Sequence, residues 1–356
     1  MKQPLVLQCI FFLSLTCVSS FLRPFPPRIW ENNTRLLPLW TPFEFKNSVN
    51  SLKGTIIDGE HLLHYKNKNN TPVLLFDNCP HQGAKLSKGK LIGNDITCPY
   101  HGFRFKNGKF IGVPNTLVNS TICVPRVPTL IKNDIVYFLP FADYFQDNAF
   151  LKLIPEPFVV PEELDPFFTK VSGKLLIEKH CDIVTSNILD MLHISFVHSF
   201  GNRNTPLPSK IDYQPLSDIS GKTTFVYTSG DKSISKTIGQ SNEVIVENEF
   251  HLPSTTVTRV TANKIVKTVV TRAMPVSENK TILFWEIHRN FFNENYIITR
   301  LGDILLDYLM KLTLKEDIDI LKNVNEKYFN GVIKTKYDIT IQKFLKAKLR
   351  FKQSSK

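Results

Sequence analysis

Hydrophobic residues follow two different rhythms along this chain. From about Leu36 to Phe141 they come in short runs, at Gly54–Ile57, Pro72–Phe76, Thr121–Val124 and Ile135–Leu139, separated by Gly, Asn and Pro. Short apolar runs between turn formers predict an all-β module over 36–142. Phe103 to Phe110 alternates apolar and polar about Asn107-Gly108. Asn-Gly accepts the positive φ of a type I′ turn, so a tight hairpin is expected there. Pro155, Pro157, Pro161 and Pro166 then mark a linker, taken as 143–166, because proline removes ladder donors and stiffens connections. The next domain, 167–349, opens with a strand at Thr169–Glu178 and a helical stretch. Runs rich in Val, Ile, Thr and Phe follow at Thr223–Thr228, Glu243–His251, Thr255–Ala262, Ile265–Ala273 and Thr281–Asn290, as strands prefer. From Glu294 to Phe329 the period becomes helical, with Leu301, Leu305, Tyr308 and Leu312 recurring at helix spacing. The expected fold class is α+β: an all-β module, then one antiparallel sheet gripping a long C-terminal helix, with 350–356 left as a basic tail.

Composition adds modest constraints. A chain of 356 residues has room for two domains with real cores, and its 42% hydrophobic content is ordinary. The net charge of +12 is concentrated late: Lys311 to Lys356 holds eleven Lys and one Arg against five acids. That stretch reads as a solvated Lys-rich surface, or as a docking face for an acidic electron donor. It lacks interleaved aromatics and any known module, so nucleic acid is not an expected partner.

The chemistry is concentrated between Cys79 and Gly102, in Cys79-Pro80-His81 and Cys98-Pro99-Tyr100-His101. Each knuckle offers one thiolate and one imidazole, a set suited to zinc or an iron–sulfur cluster. Zinc fingers usually keep two Cys in one knuckle and two His in the other. Mixed knuckles suit a two-iron cluster in which one iron takes both thiolates and the other both imidazoles. The stretch resembles a Rieske [2Fe–2S] site. The resemblance implies Cys79 and Cys98 on one iron, and His81 and His101 on the other. Gln82 stands where that family often has Arg, and Phe103 where it often has Trp. The residues between His81 and Cys98 suffice for a strand pair, so both knuckles are expected at loop tips held by antiparallel strands.

A second constellation lies in the helical stretch Asn187 to His198. Asp190 and His193 are three apart and would share a helix face. His193 and His198, five apart, would point about 140° apart on an ideal helix. They meet on one metal only if the helix ends or widens there. Burying two His and an Asp without partners would be costly. With the knuckles, this stretch resembles the N-x-x-D-x-x-H-x4-H signature of Rieske non-haem iron oxygenases, over about residues 36 to 349. The resemblance implies a mononuclear iron on His193 and His198, with Asn187 and Asp190 serving the reaction. It also implies a helix-grip, START-like catalytic domain. Periodicity selects a third ligand. Leu314, Asp317, Ile318, Leu321 and Val324 share one apolar stripe, whereas Asp319 sits with Lys315, Lys322, Asn323 and Glu326 on a solvated one. Glu316 is intermediate. Asp317 is chosen, and Lys315-Glu316-Asp317 resembles the K-E-D segment of the monooxygenase branch. His180, His251 and His288 are expected to be structural.

No G-x-G-x-x-G follows a strand, so no nicotinamide or flavin site is expected. The reductant is then a partner, a ferredoxin or ferredoxin-type reductase, and O₂ is the co-substrate. The resemblance implies oxidation of an apolar or aromatic substrate. The nearest branch holds pheophorbide a oxygenase, chlorophyllide a oxygenase and vanillate O-demethylase. The expected substrate is a chlorophyll-type tetrapyrrole. A small aromatic acid, or a non-catalytic plastid redox or import role, is the alternative. The family also implies a ring-shaped homotrimer in which Asp190 links His193 to His101 of the neighbouring subunit. Residues 1–20, with Lys2, the apolar run Leu5–Val18 and Val18-Ser19-Ser20, are expected to be a signal peptide. The basic segment 21–35 after it resembles the second part of a secondary-plastid presequence. Plastid is the expected location, with secretion or the endomembrane system as the alternative. Only Cys79, Cys98, Cys123 and Cys181 would remain after cleavage, too few for a disulfide scaffold.

Overall fold

The structure is a computed structural model and describes residues 36–117, 121–140, 150–329, 331 and 333–354. The segments expected as signal and transit sequence, 1–35, lie outside the described residues. The chain forms two bodies that part between Pro157 and Phe158. That point falls inside the Pro-rich segment. Its later half belongs to the second body: Val160 is buried with Val257 and Val270, and Glu162 is held by Arg259 and Thr268.

The first body is built from short strands: β1 (Thr41–Phe45), β2 (Lys53–Ile57), β3 (Glu60–Lys66), β4 (Pro72–Phe76), β5 (Lys90–Ile92), β6 (Asp95–Thr97), β7 (Arg104–Lys106), β8 (Lys109–Val113), β9 (Thr116–Leu117), β10 (Arg126–Val127), β11 (Thr129–Lys132) and β12 (Ile135–Phe138). They form antiparallel sheets in the orders β1-β12-β11, β10-β4-β3-β2 and β5-β6-β7-β8-β9. Leu62, Leu63, Tyr65, Leu74, Leu75, Val127 and Phe138 fill the core. β3 shows no alternation because Leu62 to Tyr65 are all buried, so both its faces are covered. Asn107 and Gly108, at φ 49° and 89°, form the two-residue turn between β7 and β8. Thr121–Val124 is not a strand. Among the described residues it makes one isolated bridge, Lys109 to Cys123. Pro125 follows at once and cannot donate to a ladder.

The second body is a seven-stranded antiparallel sheet with helices on one face. Its strands are β13 (Thr169–Ile177), β14 (Ser209–Ser217), β15 (Ser220–Thr228), β16 (Glu243–His251), β17 (Thr255–Ala262), β18 (Ile265–Ser277) and β19 (Lys280–Arg289), ordered β13-β19-β18-β17-β16-β15-β14. The helices are α1 (Cys181–Leu189), α2 (His193–Val197), α3 (Ile234–Thr237), α4 (Tyr296–Leu321) and α5 (Ile339–Ser354). Side chains alternate across a strand, so β19 sends Leu283, Trp285 and Ile287 toward α4. There they pack with Leu306, Met310 and Leu314. Its even positions put Glu286 and His288 on the opposite face. This is the expected sheet gripping a long helix.

Several expectations needed correction. α4 stops at Leu321 rather than Phe329; Asn325 then caps a separate 3₁₀ turn, Glu326–Tyr328. α4 buries Gly302, Leu306, Met310, Leu314, Asp317 and Leu321. Leu301, Leu305 and Tyr308, which share the spacing noted in the sequence, are exposed at 61%, 42% and 63%. The helix is apolar on two faces, and packing against β13 and β19 selects one. β14 was not expected: it is a polar edge strand, interrupted by bulges, and contains Pro215. Such features blunt an edge and also hide it. α5 was not expected as a helix, and it extends to Ser354, into the stretch 350–356 expected as a tail. Its Phe344 is fully buried beside Phe250, and Thr340 hydrogen-bonds Thr223 across to β15 at 2.7 Å.

Candidate metal centres

The first constellation sits at two loop tips, one after β4 and one between β6 and β7. The two loops are built alike. Cys79 N donates to Ala84 O and Gly83 N to Cys79 O, both at 2.8 Å; Cys98 N donates to Phe103 O at 2.8 Å and Gly102 N to Cys98 O at 3.1 Å. Each turn closes on a glycine at φ 72°, a left-handed conformation that residues with a Cβ rarely adopt. The sequence carried this signal as a repeated C-P-x-x-G, and reading the ligand residues alone misses it.

Within these loops the thiols point inward, with Cys79 and Cys98 2% and 3% exposed. His81 and His101 are exposed, with Nδ1 atoms 3.2 Å apart. Phe103 stacks on His81 at 4.4 Å between ring centroids, and Tyr100 stacks on His101 at 3.7 Å. Phe103 therefore packs the ring of a candidate ligand. Burial pushes the Cys79 thiol up, and hydrogen bonding with Cys98 adds to this. A cation reverses that preference, since metal-bound thiols are deprotonated. The residues fit a two-iron cluster: both thiols are buried and free of disulfides, and both imidazoles converge through the same ring nitrogen.

The second constellation is assembled from α2 and α4. The helical stretch expected from Asn187 to His198 is broken. α1 ends at Leu189, and Asp190 is extended at φ −72°, ψ 125°. Asp190 Oδ1 accepts from Leu192 N at 2.7 Å, a local bond that competes with helix continuation. α2 then starts at His193 and ends before His198, which turns out at ψ 139°. This helix end resolves the angular problem of a five-residue spacing. His193 Nε2 and His198 Nε2 lie 3.2 Å apart. Asp317 Oδ1 lies 3.4 Å from the first and 3.6 Å from the second.

That carboxylate oxygen is buried and has no hydrogen-bond partner. A buried acceptor that faces two imidazole nitrogens without a donor fits a cation site. The residues therefore fit a mononuclear metal held by two His and one carboxylate. Burial opposes a charge on His193, but the neighbouring Asp317 carboxylate, with Asp190 behind it, outweighs burial and pushes it up. For His198, burial wins and pushes it down.

The remaining expected residues fall around this triad. Asp190 does contact His193, through its backbone carbonyl: His193 Nδ1 lies 2.9 Å from Asp190 O. The Asp190 carboxylate Oδ2 is 3.9 Å away, beyond hydrogen-bond reach. Asn187 is in the last turn of α1, where its carbonyl accepts from Asp190 N at 3.1 Å. Asp319 points to solvent and pairs with Lys322 at 2.9 Å. Glu316, which periodicity left undecided, is near the triad: Oε2 lies 3.0 Å from His198 Nδ1, and Oε1 accepts from Ser199 N at 3.2 Å. Sequence reasoning also missed Tyr227 on β15, whose buried hydroxyl has no partner. Its ionisation is pushed up by burial and then by Asp190.

Another His and acid group, Glu163, Glu286 and His288, gathers on the opposite face of the sheet. It carries its own cations. Lys170 is 2.7 Å from Glu163 and 3.9 Å from Glu286, and Arg272 is 2.5 Å from Glu286. Charge is thus balanced by protein groups, in line with a structural role for His288. His180 caps α1 by accepting from Asp182 N at 3.1 Å. His251 stacks on Phe158.

Comparison with known proteins gives two family matches. Residues 40–126 match the Rieske [2Fe-2S] domain. Residues 177–343 match the vanillate O-demethylase oxygenase C-terminal domain. A chloroplast protein of Arabidopsis thaliana, protochlorophyllide-dependent translocon component 52, is 26% identical over 142 residues, which is 37% of this chain and 25% of that protein. The match thus spans about a quarter of that relative's length. Among solved structures, dicamba monooxygenase bound to dicamba has TM-score 0.71 at 18% identity, covering 89% of this chain and 97% of that one. NdmA of Pseudomonas putida CBB5 with caffeine has TM-score 0.71 at 18% identity, covering 89% and 92%.

Proposed function

This chain belongs to the Rieske non-haem iron oxygenases, and from that premise we propose that it takes electrons from a ferredoxin-type donor to oxidise a chlorophyll-type tetrapyrrole in a plastid. The observation that carries the catalytic half is the convergence of His193 Nε2, His198 Nε2 and the unpartnered Asp317 Oδ1 within 3.6 Å. A redox carrier alone has no need of that second constellation. The substrate half is supported by the similarity to a protochlorophyllide-dependent chloroplast protein, and the plastid by the basic segment after the apolar N-terminus.

The roles follow from the geometry. Cys79 and Cys98 hold the buried side of the cluster, and His81 and His101 the exposed side, where a donor protein can approach. When bound, the cluster supplies electrons singly, and an iron on two His and one carboxylate supplies O₂ activation at open positions. His193 and His198 offer Nε2 because their Nδ1 atoms are engaged, by Asp190 O and by Glu316. Asp317 completes the set from α4. By family resemblance we assign Asp190, whose side chain is about one-third exposed, a bridging role between His193 and the cluster of the next subunit in a trimer. Asp190→Asn should then keep the metal and slow reoxidation of the prereduced cluster. Reoxidation at the wild-type rate would remove the bridging role.

A second reading, O-demethylation of a small aromatic acid, is favoured by the match of residues 177–343 to the vanillate O-demethylase domain. Oxygen consumption by the purified protein with reduced ferredoxin decides between them. Pheophorbide or chlorophyllide should drive uptake and carry labelled oxygen into product. Uptake with methoxybenzoates alone would favour the second reading. No uptake with either class would favour a non-catalytic redox role.

A further inference from the structure

We propose that Glu316 is the positioning residue of the mononuclear centre, fixing the tautomer and orientation of His198; this rests on the metal-centre reading above. His193 and His198 are held by different means. His193 opens α2, and its Nδ1 lies 2.9 Å from the carbonyl of Asp190 in the same segment. His198 has left the helix at ψ 139°, so no helical turn directs its ring. What directs it comes from α4. Glu316 Oε2 is 3.0 Å from His198 Nδ1, and Oε1 accepts from Ser199 N at 3.2 Å. One carboxylate thereby holds both the ring and the peptide that follows it.

The consequence is chemical as well as steric. A carboxylate is acceptor-only when ionised, so the shared proton belongs on His198 Nδ1. Nε2 is then the lone-pair nitrogen, and it faces His193 Nε2 and Asp317 Oδ1. His198 is 4% exposed and the Glu316 side chain 20%, so water competes little for the bond. A charged acceptor makes the imidazole a stronger donor than a neutral carbonyl does. The two histidines are therefore held unequally: His198 Nδ1 faces the Glu316 carboxylate, and His193 Nδ1 a backbone carbonyl. α4 delivers the carboxylate ligand and the acceptor that aims its neighbour on adjacent residues, Glu316 and Asp317. The stacking of Phe200 on the His198 ring at 5.0 Å restrains it further but leaves the choice of nitrogen to Glu316.

The test is cobalt(II) titration of full-length protein with its cluster intact, after chelation of the mononuclear metal. Loss of such supporting acceptors typically costs about 10- to 100-fold in metal affinity. Glu316→Ala should fall in that range and shift the visible cobalt band as the His198 donor weakens. Glu316→Gln keeps the shape and one acceptor but loses the charge, so its loss should be smaller and in the same direction. Because Gln is isosteric, an effect there is not a folding defect, and unchanged cluster absorbance and melting check this. Wild-type affinity and band position in both variants would overturn the inference while leaving the metal centre standing. Failure of the wild type itself to bind cobalt would overturn the centre and the inference with it.

Discussion

Asp317→Asn tests whether the buried carboxylate is there for a metal, because stability and binding should move in opposite directions. Asp317 Oδ1 is buried without a hydrogen bond, 3.4 Å and 3.6 Å from two imidazole nitrogens. Leaving a buried acceptor unmet costs about 1–3 kcal/mol. Asparagine has nearly the same shape, and its Nδ2 donates toward those nitrogens. Above the pKa of His193, where its attraction to Asp317 no longer contributes, the chelated variant should therefore be more stable than chelated wild type by about 1–2 kcal/mol. A kilocalorie shifts Tm by about 2–4 °C in a body of this size, so a rise of roughly 2–8 °C is expected. Adding metal at about a hundred times its Kd should stabilise the wild type by about 2.7 kcal/mol and do little for the variant. Asp319→Asn, at a solvated position two residues on, should change neither quantity. The assay is thermal unfolding of chelated and metal-loaded protein, with cluster absorbance as the internal control. If the chelated variant melts below wild type, or gains as much from metal, the orphaned oxygen is not a ligand.

Other consequences are more local. His101→Cys should keep an iron–sulfur chromophore with a lower reduction potential, because thiolate adds negative charge; redox titration reads it, and an unchanged or higher potential would refute the ligand assignment. Glu162 is buried, which raises its pKa, but Arg259 and Thr268 more than offset this and hold it below the usual carboxylate range. A depressed pKa contributes stability that is present above the unfolded value of 4.5 and lost as pH falls through the folded one. Glu162→Gln should therefore cost about 1.5–3 kcal/mol at neutral pH and much less in acid, as denaturant titrations at both pH values would show; an equal cost at both would refute the pairing. Phe344→Ala should cost about 3–5 kcal/mol, measured by urea unfolding. A cost under about 1 kcal/mol, as at an exposed site, would mean that α5 does not dock on the sheet.

What the sequence disclosed depended on how local the cause was. The knuckles were readable because coordination chemistry restricts donor types at short spacing, and the repeated C-P-x-x-G even encodes the closing turns. The Asp317 stripe was readable because an acid among Leu314, Ile318 and Leu321 conflicts with burial unless a partner exists. The break at Asp190 was not: apolar residues run through Ile188 to Val197, and the helix ends because one side chain captures Leu192 N. The face of α4 could not be chosen from period alone, since Leu301, Leu305 and Tyr308 repeat as regularly as Leu306, Met310 and Leu314. β14 and α5 were hidden by polar composition. One is an edge strand with little to bury, and the other docks through Thr340 and Phe344 while its lysines find partners on the body, Lys348 at Asp182 and Lys343 over the Tyr213 ring. Glu316 lay undecided because its partner is 118 positions away in sequence.

The central claim, two metal centres in one chain, is tested most directly by counting metal in anaerobically purified full-length protein alongside its spectrum. The account predicts about three irons per chain, two of them with acid-labile sulfide in a Rieske-type chromophore and one removed by mild chelation. Zinc in place of iron with no visible chromophore would contradict the cluster. About two irons, with none lost to chelation and none lost in Asp317→Asn, would contradict the mononuclear centre.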